Sequence, residues 1–295
     1  MLLHSRVRTT GSRRTLPVMN DPLAFRRIAG KEASMTTRDD LTLAHRLADA
    51  AGDAIRPFFR ARYDTDYKSD ASPVTEADRA AEAAIRAILE KERPEDGIIG
   101  EEYGALREDA ERVWILDPID GTRSFIAGRP IFGTLIALTQ AGWPTLGIID
   151  QPVARERWAG IAGQPTSFNG APVRTRTCRK VQDAILASTA PQLFPGCTGE
   201  HFSLLARDCR DTLWGGDCYN YALLASGHVD IVVEAGLKLH DIAALVPVVE
   251  GAGGRMCDWS GDPLTDASDG KVIAVGDPAR LDDILEALNA GHEGH

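Results

Sequence analysis

Two aspartates that follow a predicted strand have the clearest capacity for chemistry. The apolar run 113–116 is typical of a buried strand, and it ends at Asp117. Pro118 cannot continue a central strand, so we expect the chain to turn there. Asp120 lies three residues beyond Asp117, and Gly121 permits tight backbone geometry. Two carboxylates on one turn can converge on a single point. Such hard oxygen ligands suit Mg²⁺, which binds one or two carboxylates together with waters and substrate phosphate.

Two further acids stand at the ends of other predicted elements. Glu101 follows the short apolar run 97–100, and Asp241 begins a helix that is apolar afterwards. The N-terminus of such a helix helps to hold an anion. Each acid alone also has a structural explanation, because an Asp beside Pro and Gly is usually a turn residue and an Asp at a helix start is usually a cap. A Glu-Glu pair is usually a solvated face. Together, the acids form a pattern with far less chance of arising at random.

The elements that must position these acids alternate in blocks. Apolar residues at helical spacing from Leu41 to Ile55 predict a helix that Pro57 ends or kinks, and Thr75–Asp78 resembles a capping box that opens a second helix. Asn169-Gly170 is a tight-turn signal. We expect a layered α/β or α+β sandwich rather than a parallel barrel. The remaining predicted helices span 219–225, 241–250 and 278–288, and the remaining strands span 132–138, 146–149, 158–161, 185–187, 229–233 and 272–275.

The charge of the chain is unevenly distributed. The 295 residues carry a net charge of −10, yet residues 1–35 contain seven Arg or Lys against two Asp or Glu. Residues 1–35 therefore carry +5 and residues 36–295 carry −15. We expect residues 1–35 to be a basic, disordered extension, or to precede a natural start at Met35. A transit peptide is the alternative, since such peptides are rich in Arg and poor in acids.

The composition argues against several classes of protein. An acidic body lacks the basic face that a general binder of nucleic acid or of anionic membranes needs. An anionic substrate is still compatible with this acidic composition, because bound metal ions can invert the local charge of a site. No apolar run approaches the roughly 20 residues that span a bilayer. An odd number of cysteines without C-x-x-C spacing argues against a disulfide framework or a structural zinc site, and predicts thiols in a reducing cytoplasm. The cysteines are Cys178, Cys197, Cys209, Cys218 and Cys257.

Four separated motifs give the chain a family resemblance. They occur in the order and rough spacing of the inositol monophosphatase superfamily of Mg²⁺-dependent, typically lithium-sensitive phosphatases, which the chain resembles over about residues 40–290. The resemblance implies a layered α-β-α-β-α sandwich of the inositol monophosphatase and fructose-1,6-bisphosphatase type, a phosphatase domain over 36–295, and a homodimer. The motif residues are Lys68 with Ser72–Asp78, Gly100–Glu102, Asp117–Thr122, and Asp241–Ala244 with Ala252–Gly254.

The same resemblance implies a metal-binding role for the acids. One ion would be held by Glu101, Asp117 and the backbone carbonyl of Ile119. A second ion would be held by Asp117, Asp120 and Asp241. Two metal ions lower the pKa of a bound water and clamp the attacking and leaving oxygens of an in-line displacement.

Further catalytic roles follow from the motifs in the same way. A third, weaker ion near Glu101 and Asp78 occurs in some relatives. Asp78 and Thr122 would orient and activate the attacking water, with Glu101 as part of this catalytic group. The backbone N–H groups of Gly121 and Thr122 would bind the phosphate. Lys68 would contact the phosphate or the metal-bound water network, although an isolated lysine is more often solvent-exposed.

The substrate is indicated by a smaller set of residues. His240 stands where inositol monophosphatases usually have Trp, and the segments 214–219 and 234–247 resemble the histidinol-phosphate phosphatase branch. Asp217 and Glu234 could pair with the amine and imidazole of L-histidinol phosphate. A polyol substrate would accept the same two acids as hydroxyl partners, so inositol 1-phosphate and other small phosphate monoesters stay open.

Three of these residues also have a purely structural explanation. Asp217 could be the cap of the helix that contains Tyr219. Glu234 could be a solvated strand end. His240 could stack on the substrate or hydrogen-bond near it, or it could serve only in packing. A protein that binds metal without being an enzyme is a further alternative. Such a protein would be expected to lack Asp78, Thr122 or one of the metal-binding acids, and this chain has all of them.

Overall fold

The computed structural model describes residues 38–61, 65–67, 73–265 and 268–289 of the chain. The predictions about residues 1–35 and about Lys68 therefore lie outside the described residues. Within the described part, helices and two sheets alternate in layers. No helix in these ranges is both long and apolar enough to cross a membrane.

Eight α-helices are found in the described residues. The two longest, α1 and α2, bury apolar residues at helical spacing and pack against each other. As predicted, α1 ends two residues before Pro57, and the Thr75–Asp78 capping box opens α2. The helices are α1 (Arg38–Ile55), α2 (Glu76–Glu92), α3 (Thr122–Ile126), α4 (Cys197–Asp208), α5 (Cys218–Ala225), α6 (Leu239–Ile242), α7 (Leu245–Gly251) and α8 (Leu281–Asn289).

The first large sheet has eight strands in the order β10-β9-β8-β7-β6-β5-β3-β4. Neighbouring strands are antiparallel, except that β3 and β5 are parallel. A short separate pair, β1 (Thr65–Tyr67) and β2 (Pro73–Thr75), precedes α2. The strands of the large sheet are β3 (Gly97–Gly100), β4 (Gly104–Leu106), β5 (Arg112–Asp120), β6 (Gly133–Gln140), β7 (Trp143–Gln151), β8 (Glu156–Ile161), β9 (Ser167–Phe168) and β10 (Ala171–Pro172).

The second sheet has five strands in the order β12-β11-β13-β15-β14. Strands β11, β12 and β13 run parallel, so their carboxyl ends meet at one edge of the sheet. Strand β15 is antiparallel to both of its neighbours, β13 and β14. The strands are β11 (Ile185–Ser188), β12 (Asp211–Trp214), β13 (Ile231–Glu234), β14 (Arg255–Cys257) and β15 (Val272–Val275).

Alternating side chains of β5 and of β13 enter different cores, because successive residues of a strand point to opposite faces. In β5, Trp114 and Leu116 face α1 and α2, whereas Val113 and Ile115 face the layer of α5, α6 and α7 between the sheets. In β13, Val232 faces that middle layer, and its neighbours face the outer helices α4 and α8. The order of layers is α-β-α-β-α, which confirms the predicted fold class.

Several predicted elements need correction. Strand β5 does not end at Asp117 but continues to Asp120, with an irregularity in its pairing with β6 between the two aspartates. Pro118 is tolerated because pairing with β3 stops at Leu116, so β5 has only one neighbour there. The predicted helix 241–250 is two helices, α6 and α7. Among the elements that were not predicted are helices α3 and α4 and strands β4, β12 and β14. The Asn169-Gly170 turn is confirmed, and both residues have positive φ.

Candidate active site

Parallel pairing of β3 with β5 brings the first two predicted acids together. Gly100 is paired with Leu116 at the end of this ladder, and the Glu101 N–H donates to the Leu116 carbonyl at 3.2 Å. Glu101 therefore follows β3 at the level where Asp117 continues β5. Asp117 is only 2% exposed, and it lies on the same face of β5 as Ile115, toward the middle helical layer.

Helix α6 supplies Asp241 from that middle layer. The Lys238 N–H donates to Asp241 Oδ2 at 2.6 Å, which closes a capping box at the start of this short helix. Asp120 is held from another side, since the Cys218 N–H at the start of α5 donates to Asp120 Oδ2 at 2.5 Å. One carboxylate oxygen from each of Asp117, Asp120 and Asp241 lies within 4.8 Å of the others. We call these three residues the acid cluster.

The acid cluster is electrostatically suited to a cation. Burial, together with the charges of Glu101, Asp120 and Asp241, raises the pKa of Asp117 well above its usual range. Burial and the charges of Asp217 and Asp241 likewise raise the pKa of Asp120. Asp117 Oδ1 is buried and has no hydrogen-bond partner among the described residues. Such an oxygen is costly unless a ligand satisfies it, so the donor set fits a divalent metal ion.

A second possible metal-binding group adjoins the first. It consists of Glu101, Asp117 and His240, again with ligand atoms within 4.8 Å of one another. The family resemblance had implied the Ile119 carbonyl here instead. That carbonyl accepts a hydrogen bond from Thr122 Oγ1 at 3.1 Å. The sequence analysis placed His240 near the substrate but did not predict it as a metal ligand.

Glu82 on α2 is a structural part of the site that the sequence did not reveal. It is fully buried, and its carboxylate accepts hydrogen bonds from the N–H groups of Glu102 (2.7 Å) and Tyr103 (3.2 Å). Arg86, one helical turn later, pairs with it at 2.7 Å. A Cβ on Gly100 would collide with the Glu82 carboxylate, so glycine is required there. Glu82 therefore fixes the turn that carries Glu101.

The predicted water-activating pair lies in contact. Asp78 Oδ2 accepts hydrogen bonds from the N–H and the hydroxyl of Thr75, and Thr122 Oγ1 lies 3.5 Å from Asp78 Oδ1. Burial raises the pKa of Asp78, although the hydrogen bonds from Thr75 oppose this shift. Asp78 is thus both the capping-box residue of α2 and a neighbour of Thr122 at the start of α3.

Asp217 lies against the loop that follows β5. A Cβ on Gly121, whose φ is +88°, would be 2.7 Å from Asp217 Oδ2, and Ser124 Oγ donates to the same oxygen at 3.1 Å. Although Asp217 precedes α5, its side chain makes no capping hydrogen bond, so the cap explanation is wrong. Burial raises its pKa to about 6, while Ser124 and the positive charge of Arg129 act in the opposite direction.

Glu234 ends β13 and is only 2% exposed, so the explanation as a solvated strand end is also wrong. The N–H of Thr189 donates to Glu234 Oε1 at 2.9 Å, the Thr189 hydroxyl donates to the same oxygen, and Tyr221 Oη donates to Oε2 at 3.1 Å. Burial raises the pKa of Glu234 to about 7, and the charge of Asp217 adds to this. Thr189, Asp217 and Glu234 come together because the parallel strands β11, β12 and β13 end at one edge.

Comparison with known proteins defines the class to which this architecture and acid cluster belong. Residues 37–292 match the sequence model of the inositol monophosphatase family. The chain therefore belongs to the inositol monophosphatase family of phosphatases.

Particular relatives are similar along most of the chain. The chloroplastic bifunctional phosphatase IMPL2 of Arabidopsis thaliana is 48% identical over 251 residues, which cover 82% of this chain and 72% of the relative. A histidinol-phosphatase of Mycobacterium tuberculosis is 37% identical, and the match covers 86% of this chain and all of the relative. The solved structure of an inositol monophosphatase from Zymomonas mobilis is 59% identical with a TM-score of 0.79, covering 85% of this chain and 98% of that one.

Proposed function

We propose that the chain is a Mg²⁺-dependent phosphomonoesterase that hydrolyses L-histidinol phosphate to L-histidinol and phosphate. The observation that carries this proposal is the position of Asp217. Its carboxylate lies beside Gly121, which follows β5, and Ser124, which is in α3, and it is not used as a helix cap. A substrate whose phosphate is held at the acid cluster would then present its amine or imidazole to a carboxylate. Charge-assisted hydrogen bonds of this kind are among the stronger ones.

The proposed metal ligands are those that the family resemblance implied. Glu101, Asp117 and the Ile119 carbonyl would hold one ion, and the acid cluster would hold a second. A third would lie near Glu101 and Asp78. When bound, the ions would lower the pKa of water and neutralise charge on the phosphate.

The remaining roles belong to the chain itself. Asp78 would accept a proton from the attacking water, and the Thr122 hydroxyl would orient that water, which their 3.5 Å separation supports. The backbone N–H groups of Gly121 and Thr122 would donate to the phosphate oxygens. Glu234 is buried with both oxygens already hydrogen-bonded, so its proposed part in substrate binding is indirect, through the nearby Asp217, whose charge raises the pKa of Glu234.

A second candidate is an inositol-1-phosphate phosphatase. The identity of 59% to the Zymomonas mobilis inositol monophosphatase favours it. The identity of 37% to a histidinol-phosphatase over that protein's full length favours the first candidate. We also propose that residues 36–295 form the phosphatase domain, with residues 1–35 as a basic extension, and that the enzyme is a cytoplasmic homodimer.

The test compares phosphate release from L-histidinol phosphate and from myo-inositol 1-phosphate by the full chain, with Mg²⁺ and with EDTA. We expect higher kcat/KM on the histidinol ester and no activity in EDTA. An equal or greater kcat/KM on the inositol ester would contradict the proposed substrate. Activity in EDTA would contradict the proposed metal-dependent mechanism.

A pair of variants sharpens the substrate test. Asp217→Asn should reduce kcat/KM on the histidinol ester by at least about tenfold, the effect of losing one charged hydrogen bond of about 1.5–3 kcal/mol. The inositol ester should lose less, because hydroxyl groups can bond an amide. The exposed Asp211→Asn, on the preceding strand, is the matched control.

A further inference from the structure

His240 lies next to the acid cluster, on the side nearer to Glu101. Its Nε2 atom lies 4.0 Å from Glu101 Oε1 and 3.6 Å from Asp241 Oδ1. Both distances exceed the 2.7–3.2 Å that is usual for N–H···O hydrogen bonds. The side chain is 13% exposed, so it is enclosed by the site rather than extended into solvent. The imidazole is therefore close to two carboxylates without the spacing of a direct hydrogen bond to either.

The separation between His240 and Glu101 is compatible with two ligands of one ion. Donors bound at about 2.1 Å to an octahedral ion are about 3.0 Å apart when adjacent and about 4.2 Å apart when opposite. The 4.0 Å from His240 Nε2 to Glu101 Oε1 falls within this interval. One ring nitrogen of His240 also belongs to the group whose ligand atoms, with those of Glu101 and Asp117, lie within 4.8 Å of one another.

An independent observation indicates a cation at the same place. Asp117 belongs to both groups of potential ligands, and its Oδ1 is buried with no hydrogen-bond partner in the described part of the chain. A carboxylate oxygen in that position is expensive unless a positive ligand meets it. His240 and Asp241 are consecutive in α6, so one helical turn directs a nitrogen to one group and an oxygen to the other.

We propose that the His240 imidazole binds the divalent ion held by Glu101 and Asp117, which makes this half of the site a mixed nitrogen–oxygen site. The inference deepens the proposed function, because it requires the metal dependence but not a particular substrate. Mg²⁺ prefers oxygen ligands, whereas imidazole suits Zn²⁺ and other transition-metal ions. The position next to Glu101 is thus expected to select a transition-metal ion more strongly than a site made of oxygens alone, such as the acid cluster.

The experiment detects the nitrogen directly. Mn²⁺ is added to the metal-free full chain, binding is followed by electron paramagnetic resonance, and nitrogen coupling to the bound Mn²⁺ is measured by electron spin-echo envelope modulation. We expect ¹⁴N modulation in the wild type that changes when the histidines are labelled with ¹⁵N. His240→Asn should bind Mn²⁺ and lose this modulation. His228→Asn, which alters an exposed histidine, should keep it.

Metal affinity provides a second readout. By calorimetric titration of the metal-free protein, His240→Asn should weaken Zn²⁺ binding by about tenfold or more, the size of effect expected for ligand-shell changes, and should alter Mg²⁺ binding much less. The labelled wild type keeps the test decisive even where the variant does not fold.

The outcomes separate this inference from the proposed function. Mn²⁺ bound without histidine nitrogen coupling would overturn the role of His240 and leave a metal-dependent phosphatase with oxygen ligands. Equal loss of Zn²⁺ and Mg²⁺ affinity in His240→Asn would also overturn it, since that result indicates a purely structural residue. Absence of any Mn²⁺ binding, with phosphate release unaffected by EDTA, would overturn both proposals.

Discussion

The two ends of strand β5 bury acids in opposite electrostatic surroundings. At its first residue, Arg112 donates to the buried Asp40 of α1 at 2.7 Å and to Asp96 at 3.3 Å. At its last residues, Asp117 and Asp120 face each other and Asp241, and burial raises the pKa of all three. At the first end, an ion-pair network joins α1 to the sheet. At the last end, three carboxylates that would repel one another when charged lie close together.

The difference separates acids that stabilise the fold from acids that serve a ligand. A buried carboxylate is tolerated when an arginine and hydrogen bonds satisfy it, and it is costly when they do not. We therefore expect the acid cluster to lower the stability of the metal-free chain and a bound cation to restore it. Asp120 is part of this group although the Cys218 N–H satisfies one of its oxygens.

The sharpest contrast between the ends of β5 comes from Asp120→Asn. We expect turnover to fall by about a hundredfold to a thousandfold, the size of effect known for losing one group that stabilises transition-state charge. The metal-free variant should be at least as stable as the wild type, because one of the repelling charges is gone. Phosphate release and thermal unfolding in EDTA measure the two effects. Near-normal turnover would remove Asp120 from the site.

The opposite pattern is expected for Asp40→Asn at the other end. Its loss leaves Arg112 partly unpaired, so the free energy of unfolding should fall by about 3 kcal/mol, near the lower end of the range for breaking a buried ion pair. Activity per folded molecule should stay near that of the wild type. Denaturant unfolding measures the loss, and the exposed neighbour Asp39→Asn is the control. A stability change no larger than that of the control would contradict the comparison.

The acids at the end of β5 could be predicted from the sequence, whereas the Asp40–Arg112 network at its start was not. The capping box of α2 and the layered α/β class follow from local patterns, and the structure confirms both. Glu82 could not be predicted, because a Glu in an exposed-looking helical sequence acquires its role only when the turn after β3 packs against it. The continuation of β5 through Pro118 likewise depends on where the neighbouring strand ends.

The surroundings of Asp217 and Glu234, the acids proposed to bind the substrate, could not be predicted from the sequence either. Thr189 and Tyr221 come from other elements, and they meet Glu234 only because three parallel strands end at one edge. Sequence alone left a helix cap and a solvated strand end as open explanations for Asp217 and Glu234. Tertiary packing, which no local pattern encodes, excludes both.

Metal addition should stabilise the chain through the acid cluster and not through the ion-pair network. At a Mg²⁺ concentration of about 100 times Kd, the free energy of unfolding should rise by about 2.7 kcal/mol. Asp40→Asn should keep this increment and Asp120→Asn should lose most of it, as measured by thermal unfolding with Mg²⁺ and with EDTA. The gain should shrink at pH 5, because protonated acids bind metal poorly. An equal gain in both variants would contradict the division between the two ends.

The smallest expected effect extends the comparison to Glu234, whose pKa of about 7 in the folded chain exceeds its ordinary value. Between pH 4.5 and 7 the folded state binds more protons here than the unfolded state, so this residue makes the free energy of unfolding decrease as pH rises. Glu234→Gln should remove that decrease. In EDTA, the wild type should therefore lose more stability from pH 5 to pH 8 than the variant does.

The control for this last measurement is the exposed Glu95→Gln, which should follow the wild-type pH dependence. Denaturant midpoints at both pH values, with unchanged slopes, isolate the proton-linked part of stability. Identical pH dependence in the wild type and Glu234→Gln would mean that hydrogen bonds from Thr189 and Tyr221 satisfy this carboxylate as fully as arginine satisfies Asp40. Glu234 would then belong with the stabilising acids at the start of β5 rather than with the acids of the proposed catalytic site.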